Sequence, residues 1–504
     1  MKLYLSGHSD RYALEQLQLC LFPDQPMEYS ETPFSGDGAV SRLSRGSRYL
    51  TATAKITLSG RTTRATKRLP LAQETYALRR RLLQRAYYLA ALPHLDHPPA
   101  WGALSGVRPT KITTRHLLSG GTPEGAKRLM EDTFFVTPER AALCVRASEA
   151  SRRAVELLLP EDVSVYAGIP FCPTRCAYCS FVSQTAGSAG QLLEPYLACL
   201  LKEAETVGEG LSAIGRTPRT LYIGGGTPTT LSAQQLRLLM QTISRHFDPA
   251  RLIEYTVEGG RPDTLDEEKL RVIRDYGAGR ISINPQTMND AVLRRVGRCH
   301  TAAEVERSYD QAVRLGFRSI NMDLIAGLPG DDVEGFRRSL ARVIDLGPSN
   351  VTVHTLALKK GADLFFRRED LPPESWVAEM VDLSAAMLRA AGYAPYYLYR
   401  QKYMSGSFEN VGWAKNDDIC LYNIYMMEEL HSIVSLGAGA MSKLNFSLTR
   451  LERDHNPKFP KEYISRADDV LQRKRAFLAR LAQHVYDPRV FDPGQETEAV
   501  QEED

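Results

Sequence analysis

The sequence lacks any long apolar run: no stretch approaches the roughly 20 uninterrupted apolar residues that a membrane helix requires. It also lacks an excess of one charge, because 63 Lys and Arg face 60 Asp and Glu, a formal net charge of +3. Such a balance disfavours nucleic acid as a partner. The first residues, MKLYLSGHSD, do not lead a basic segment into an apolar one. We therefore expect neither a signal peptide nor a membrane span.

Cysteine is also scarce, with eight residues in a chain of 504. So few cannot form a disulfide scaffold, and without an export signal we expect a cytoplasmic, reducing location. Three of them, Cys172, Cys176 and Cys179, nevertheless fall within the stretch 172-CPTRCAYC-179. Clustered thiols in a reducing compartment are typical of metal ligands or catalysts.

Short apolar segments alternate with amphipathic ones through the middle of the chain. The predicted strands are 163–169, 219–226, 253–260, 280–286, 319–327 and 350–358, and the predicted helices are 191–213, 232–247, 266–276, 302–316, 333–346 and 375–391. This alternation predicts βαβ units and a parallel sheet. Since six units are fewer than the eight of a closed barrel, we predict an α/β fold with an open, partial (β/α)6 barrel.

Changes of pattern divide the chain into four predicted regions. Residues 1–160 combine an alternating segment, 49-YLTATAKITLSG-60, with helical stretches, which predicts an N-terminal α+β extension. The partial barrel follows at 161–394, and a mixed C-terminal α+β region at 395–490. The tail 491–504 is acidic and has few apolar anchors, so we expect it to be disordered.

The three clustered cysteines allow more than one site. Structural zinc prefers four ligands, often from two CxxC pairs, whereas three thiolates on a four-iron cluster leave one iron open to bind a ligand. A zinc site completed by a distant histidine and a redox pair of Cys176 and Cys179 stay open as alternatives. The cysteines follow the first predicted strand, at the end of the barrel where loops carry chemistry, and this position favours the iron–sulfur site.

The order of motifs resembles the radical S-adenosylmethionine (SAM) superfamily. The stretch 166-YAGIPFCPTRCAYCSF-181, followed by 224-GGGTP-228, resembles its oxygen-independent coproporphyrinogen III oxidase family, and 258-EGGRPD-263 and 409-ENVGWA-414 resemble the HemZ branch (coproporphyrinogen dehydrogenase). The resemblance implies that Cys172, Cys176 and Cys179 hold a 4Fe-4S cluster whose fourth iron binds SAM. One electron would then cleave SAM to methionine and a 5′-deoxyadenosyl radical, which abstracts hydrogen from the substrate.

The resemblance also implies a set of SAM contacts near the ends of the predicted strands. A glycine motif would meet the methionine moiety, Tyr178 the adenine, Asp323 the ribose and Arg298 a carboxylate. The full implied set is Tyr166, Tyr178, Gly225, Gly226, Thr227, Glu258, Gln286, Arg298, Asp323 and Met441. Each polar member has a structural alternative, a salt bridge or a solvated surface position, and the glycines have a tight turn as theirs. No catalytic residue is assigned.

The implied activity is the conversion of coproporphyrinogen III to protoporphyrinogen IX by oxidative decarboxylation of two propionates. Its partners would be a tetrapyrrole substrate and a reduced flavodoxin or ferredoxin-type electron donor. The chain departs from the family pattern at Gly168, where other members have histidine, and at Phe181, where they have a fourth cysteine. Two alternatives stay open: a radical SAM methyltransferase, and a haem chaperone with His300, His354 or His431 as candidate haem ligands.

Overall fold

The computed structural model describes residues 1–490 except 24, 182–183, 360, 368–369, 401–407 and 449, and only the backbone of 186–189. The tail predicted to be disordered, 491–504, lies outside the described residues. The described chain divides into two compact units, residues 1–145 and residues 146–490. The predicted boundaries at residues 160 and 394 stay predictions.

The first unit is built on a five-stranded sheet in the order β2-β1-β3-β4-β5. Strand β1 is parallel to β2 and β3, and β3, β4 and β5 form an antiparallel meander. Its elements are β1 (Lys2–Ser6), α1 (Arg11–Leu21), β2 (Glu28–Ser30), β3 (Gly38–Arg45), β4 (Tyr49–Leu58), β5 (Arg61–Pro70), α2 (Tyr76–Ala91), α3 (Thr110–Leu118), α4 (Pro123–Arg128) and α5 (Pro138–Glu156), in which the two units divide.

Alternation along β4 explains how this sheet buries one face. Leu50, Ala52, Ala54 and Ile56 are all at most 2% exposed, while the residues between them point away from the core. Leucines of α1 and small and aromatic residues of α2 complete the same core. The alternating pattern in the sequence is therefore confirmed as a strand.

The second unit is a long alternation of strands and helices. Its elements are β6 (Asp162–Ile169), β7 (Phe171–Cys172), β8 (Gln184–Thr185), α6 (Ala186–Ala213), β9 (Thr217–Gly225), α7 (Ala233–Phe247), β10 (Glu254–Gly260), α8 (Glu267–Asp275), β11 (Arg280–Ile283), α9 (Asp290–Arg295), α10 (Ala302–Arg314), β12 (Ser319–Ala326), α11 (Val333–Leu346), β13 (Asn350–Thr355), α12 (Asp363–Arg367), α13 (Glu374–Ala390), β14 (Ala394–Arg400), β15 (Glu409–Ala414), α14 (Leu421–Glu428), β16 (Ile433–Leu436), β17 (Met441–Asn445), β18 (Leu451–His455), α15 (Pro460–Ser465) and α16 (Ala467–Gln483).

One sheet of 11 strands carries this unit, in the order β14-β15-β13-β12-β11-β10-β9-β6-β16-β17-β18. The six strands from β13 to β6 are mutually parallel, and helices connect them. The carboxyl ends of parallel strands meet at one edge, so the loops that follow them lie together. The predicted α/β fold with an open (β/α)6 array is confirmed.

The sheet extends beyond the six predicted strands on both sides. Strand β15 pairs antiparallel with β13, and β14 pairs antiparallel with β15, while β16 adds a further parallel strand next to β6. All of these strands come from the region predicted as a separate C-terminal part. That region therefore supplies both flanks of the central sheet.

One predicted strand is shorter than expected. The segment predicted at 280–286 leaves the strand after Ile283, and Gln286 adopts a φ of 68°, in the left-handed region. The backbone N–H of Gln286 donates to the carbonyl of Asp323 at 2.9 Å, so the turn brings this residue back onto β12. A non-glycine residue in this conformation is rare and is found where surrounding structure holds it in place.

A buried carboxylate joins the sheet to α14. Glu254, 3% exposed at the start of β10, accepts the backbone N–H groups of Leu421 at 2.7 Å and Tyr422 at 2.9 Å. These groups belong to the first turn of α14, where backbone N–H groups have no partner inside the helix.

Among the described residues, no helix has the length and apolar character needed to cross a membrane.

We predict that Glu254→Ala lowers the free energy of unfolding by about 2 kcal/mol or more, because two buried N–H groups lose their acceptor. Chemical denaturation followed by circular dichroism measures this effect. The control is Glu267→Ala, which removes an exposed carboxylate paired with Arg271 on α8 and should change stability by less than about 0.5 kcal/mol. Equal effects of the two substitutions would contradict the prediction.

Candidate functional site

The cysteine loop, residues 170–181, follows β6 at the carboxyl edge of the sheet. Cys176 is 8% exposed, whereas Cys172 and Cys179 are half-buried. The backbone N–H of Cys179 donates to the carbonyl of Cys176 at 3.0 Å, which tightens the second half of the loop. Burial raises the pKa of the Cys179 thiol, and the nearby Cys176 and Cys172 raise it further. The three thiols therefore share one small region.

These thiols do not converge as ligands of a single ion do. Over the described part of the chain, no three His, Cys, Asp or Glu side chains form a group that could hold one metal ion. Thiolates that bind different irons of one cluster need not meet at a single point, so the same result is compatible with an iron–sulfur site.

Backbone hydrogen bonds fasten the cysteine loop to later strand ends. The N–H of Ala177 donates to the carbonyl of Val296 at 3.0 Å, and the carbonyl of Ala177 accepts the N–H of Leu364 at 3.0 Å. Thr174 adds a hydroxyl bond to the carbonyl of Gly297 at 3.2 Å. The loop is thus held by the segments that follow β11 and β13.

The glycines at the end of β9 are required by close packing against this loop. A Cβ atom on Gly226 would lie 2.9 Å from the sulfur of Cys172, and one on Gly225 would lie 2.8 Å from the backbone nitrogen of Ile169. Thr227 continues the contact, with its N–H on the carbonyl of Phe171 at 2.8 Å and its hydroxyl 3.5 Å from the Cys172 sulfur. Packing within the protein alone therefore accounts for these glycines.

Glu258 lies at the end of β10, where its carboxylate accepts the Tyr222 hydroxyl at 2.7 Å and the Gly225 N–H at 3.1 Å. Burial raises the pKa of Glu258 to about 7, and Asp323 contributes in the same direction. A carboxylate held this way gains stability from a cationic ligand. Asp323 reaches the same region from β12.

Three tyrosine rings stack beside this carboxylate. The ring of Tyr166, the predicted SAM contact on β6, lies 6.2 Å from the ring of Tyr222 and 6.2 Å from that of Tyr422. The rings of Tyr222 and Tyr422 are 4.6 Å apart. The sequence reasoning missed Tyr222, although its place two residues before the glycine motif, in register with Tyr166, was a usable signal. Tyr422 arrives from α14 and had no such signal.

Gln286, in the turn after β11, lies next to Asp323 of β12. The side-chain oxygen of Gln286 is buried and has no hydrogen-bond partner among the described residues. Asp323 accepts the Asn321 amide at 2.7 Å and lies 3.7 Å from Nε2 of His354. Burial opposes ionisation of Asp323, but His354 and polar neighbours outweigh it and hold its pKa below the ordinary range. An unsatisfied acceptor therefore stands next to an ionised carboxylate.

Arg298 is buried next to the cysteine loop. Its Nε donates to the Tyr178 hydroxyl at 3.1 Å, and its Nη1 donates to the carbonyl of Asn284 at 2.7 Å. The Tyr178 ring packs against an apolar cluster formed by Val292, Val296, Ile325, Leu328 and Leu356. Both residues were predicted as SAM contacts, and the structure brings them together.

A second buried guanidinium, that of Arg261, was not predicted. Its Nε and Nη2 donate to the carboxylate of Asp263 at 3.0 and 2.9 Å, and its Nη1 donates to the Thr174 hydroxyl at 2.8 Å. The imidazole of His300 stands 3.6 Å from the same carboxylate. The neighbouring Cys299 is exposed, so residues 299 and 300 do not form a metal-binding pair. The motif 258-EGGRPD-263 was visible in the sequence, but the fold alone directs its arginine to the cysteine loop.

Gly168 belongs to β6, and Met441 lies on the side of β6 away from β9. Met441 begins β17, and its carbonyl accepts the Ser435 hydroxyl at 2.7 Å. A Cβ atom on Gly168 would lie 3.3 Å from the Tyr166 ring and 3.5 Å from the carbonyl of Leu436. A side chain at position 168 would therefore crowd the Tyr166 ring.

The donor set at this edge fits a 4Fe-4S cluster and SAM. Three thiols are available for iron, and Glu258 and Asp323 can compensate the positive charges of SAM. The unpartnered Gln286 oxygen provides an acceptor for an amine or hydroxyl group. These groups come from four strands or the loops after them, namely β6, β10, β11 and β12.

Comparison with known proteins identifies the family of the chain. The model of the radical SAM superfamily matches residues 166–343. The oxygen-independent coproporphyrinogen-III oxidase-like protein HemZ of Bacillus subtilis is 38% identical over 395 residues, which cover 77% of this chain and 79% of HemZ. The chain therefore belongs to the radical SAM family that includes HemZ.

Other members of the family carry different names. The heme chaperone HemW of Lactococcus lactis is 35% identical over 47% of this chain and 62% of its own length. The structure of coproporphyrinogen III oxidase (HemN) from Escherichia coli, a radical SAM enzyme, matches with a TM-score of 0.50 and 26% identity over 63% of this chain and 71% of that chain. As a radical SAM protein, the chain uses a 4Fe-4S cluster and SAM as cofactors.

For Glu258 we predict a pH-dependent effect on the stability of this radical SAM protein. Because the folded-state pKa is about 7, raised from 4.5, the carboxyl stays neutral in the folded protein over a range in which it ionises in the unfolded chain. Its contribution to stability is thus present below the unfolded pKa and is lost as pH rises through about 7. The wild type should lose stability relative to Glu258→Gln between about pH 5 and about pH 8, and urea denaturation at each pH measures this loss. A constant difference between the two proteins across this range would contradict the assignment.

Proposed function

We propose that the protein is a radical SAM coproporphyrinogen III oxidase, a dehydrogenase that forms protoporphyrinogen IX without oxygen. The supporting observation is the extent of the similarity to the oxidase-like protein HemZ, which covers 77% of the chain and so reaches beyond the superfamily match at 166–343. The match to the heme chaperone of Lactococcus lactis covers 47%. The HemZ match is the more extensive of these two, and HemZ is named for its likeness to the oxidase.

In this proposal Cys172, Cys176 and Cys179 bind the cluster, and one iron remains open for SAM. When bound, the two cofactors supply a 5′-deoxyadenosyl radical. The residues that contact SAM are the predicted set: Tyr166, Tyr178, Gly225, Gly226, Thr227, Glu258, Gln286, Arg298, Asp323 and Met441. The protein contributes position and the exclusion of water, as is usual where cofactors carry the difficult chemistry.

Charge and hydrogen bonding suggest separate roles within that set. Glu258 has a raised pKa because it is buried, so a SAM ammonium group nearby would favour its charged form. Asp323 is already ionised and can accept from ribose hydroxyls. Arg298 has two donors engaged by Tyr178 and Asn284, and its remaining donors can meet a carboxylate. The stacked rings of Tyr166, Tyr222 and Tyr422 keep water from this edge.

The proposed reaction balances at each propionate. A hydrogen atom leaves the carbon β to the carboxylate for the deoxyadenosyl radical, which becomes 5′-deoxyadenosine. The carboxylate then departs as CO₂, a vinyl group forms, and one electron passes to an external one-electron acceptor of the iron–sulfur or flavin class. The electron that cleaves SAM comes from a reduced flavodoxin or ferredoxin-type donor. We place this chemistry in the cytoplasm, within porphyrin biosynthesis.

The heme chaperone relatives favour haem binding as a second candidate. Each candidate haem ligand, however, already has protein neighbours. His431 is 3% exposed, its Nε2 lies 2.7 Å from the Ser164 hydroxyl, and burial lowers its pKa to about 3. His300 pairs with Asp263, and His354 lies between Asp323 and the Tyr399 hydroxyl. Haem would have to reach imidazoles that are buried, as His300 and His431 are, or that stand beside a carboxylate, as His354 does, so we prefer the enzyme.

We predict that Cys172→Ala, Cys176→Ala and Cys179→Ala each lose the cluster, because a thiolate at each position binds a different iron. Iron and sulfide content after anaerobic reconstitution, with the visible absorption of the cluster, measures the loss. The matched controls are Cys199→Ala and Cys299→Ala, which lie outside the cysteine loop and should keep wild-type iron content. Full cluster content in any of the three loop variants would remove that cysteine from the ligand set.

The substrate is tested by anaerobic incubation of reconstituted protein with SAM, a reductant and coproporphyrinogen III. We expect 5′-deoxyadenosine and protoporphyrinogen IX to form together, because hydrogen abstraction precedes the loss of each CO₂. Formation of 5′-deoxyadenosine without protoporphyrinogen IX would overturn the assignment of coproporphyrinogen III as the substrate, while the assignment of radical SAM chemistry would stand. Methylated product with S-adenosylhomocysteine would indicate a methyltransferase, and stoichiometric haem binding without SAM cleavage a chaperone.

A further inference from the structure

Arg261 connects the end of β10 to the cysteine loop. The residue is 2% exposed, and its Nη1 donates to the Thr174 hydroxyl at 2.8 Å and approaches the Thr174 carbonyl at 3.3 Å. The same nitrogen lies 3.8 Å from the sulfur of Cys176. That distance is within hydrogen-bonding range for sulfur, so a buried positive charge stands beside one predicted cluster ligand.

The orientation of this guanidinium is set from its other side. The Asp263 carboxylate accepts two parallel hydrogen bonds, from Nε at 3.0 Å and from Nη2 at 2.9 Å. This bidentate geometry fixes the plane of the guanidinium and leaves Nη1 to face the loop. His300, next to the Asp263 carboxylate at 3.6 Å, limits its movement further. Asp263 therefore orients the guanidinium of Arg261 and partly compensates its charge.

We propose that Arg261 positions the cysteine loop and raises the reduction potential of the cluster through its charge next to Cys176. This inference rests on the three cysteines being the cluster ligands, but not on the identity of the substrate. Reduction adds one negative charge to the cluster and its thiolates, and a positive group in a poorly solvated site stabilises that added charge. Hydrogen bonds to ligand sulfur act in the same direction.

Charge and anchoring can be separated because they need different properties of residue 261. A neutral amide could still donate to the Thr174 hydroxyl, but it carries no charge. A lysine would keep the charge while losing the bidentate contact with Asp263. The second buried guanidinium, Arg298, donates instead to the Tyr178 hydroxyl and the Asn284 carbonyl. Of these two buried arginines, Arg261 is thus the one that lies within hydrogen-bonding distance of a ligand sulfur.

The experiment is a potentiometric titration of the reconstituted full-length chain, without SAM, followed by the electron paramagnetic resonance signal of the reduced cluster. We expect Arg261→Gln to shift the midpoint potential to a more negative value and Arg261→Lys to stay nearer the wild type. Asp263→Asn should shift the midpoint in the positive direction, because it removes the compensating carboxylate. The control, Arg271→Gln, removes an exposed arginine of α8 and should leave the midpoint unchanged.

Each outcome decides the proposal. A wild-type midpoint in Arg261→Gln at full iron content would overturn it, as would equal shifts in the Gln and Lys variants, which would indicate anchoring alone. If Arg261→Gln fails to hold the cluster, Asp263→Asn carries the test, and an unchanged or more negative midpoint there would overturn the proposal. Failure of the proposed oxidase activity would leave these results intact, because no tetrapyrrole is present in the titration.

Discussion

The close approach of β6 and β9 is the constraint on which the site depends. The two strands pair in parallel, with Gly168 opposite Gly224 and Ile169 opposite Gly225. The segments that follow them stay in contact beyond the sheet. The N–H of Gly226 donates to the carbonyl of Ile169 at 2.8 Å, in a space that a side chain would fill. The first residues of the cysteine loop therefore pack against Gly225 and Gly226. This packing fixes where the loop begins and so allows its later residues to contact other strand ends.

At the carboxyl edge, Arg261 and Asp323 each have a side-chain partner that favours their charged form, whereas Glu258 has no cationic partner among the described residues. Arg261 meets Asp263, and Asp323 is held ionised with help from His354. Glu258 receives hydrogen bonds from Tyr222 and Gly225 but no cation, and burial raises its pKa to about 7. In a site of low dielectric an uncompensated carboxylate is costly, so the arrangement favours a positively charged ligand. The cofactor chemistry and the electrostatics of the protein thus agree.

The C-terminal region has a larger structural role than its separate position in the sequence indicates. Strand β16 lies directly against β6, and α14 carries Tyr422 to the stacked rings beside Glu258. Helix α14 is attached by Glu254, which belongs to the barrel strand β10. Sequence pattern could describe these segments as strands and helices, but the place of β16 beside β6 depends on pairing between residues as distant in the chain as Ser164 and Ile433.

The sequence by itself determined the order of elements and the cysteine spacing, because periodicity and helix caps act over a few neighbouring residues. Helix α10 illustrates this, since Thr301 and Glu304 cap its start within four positions of each other. Only the tertiary structure decided that Arg261 faces Cys176, that Tyr222 and Tyr422 join Tyr166, and that Gln286 turns back onto β12. Burial, charge compensation and side-chain direction at the site come from distant segments, so no local pattern contains them.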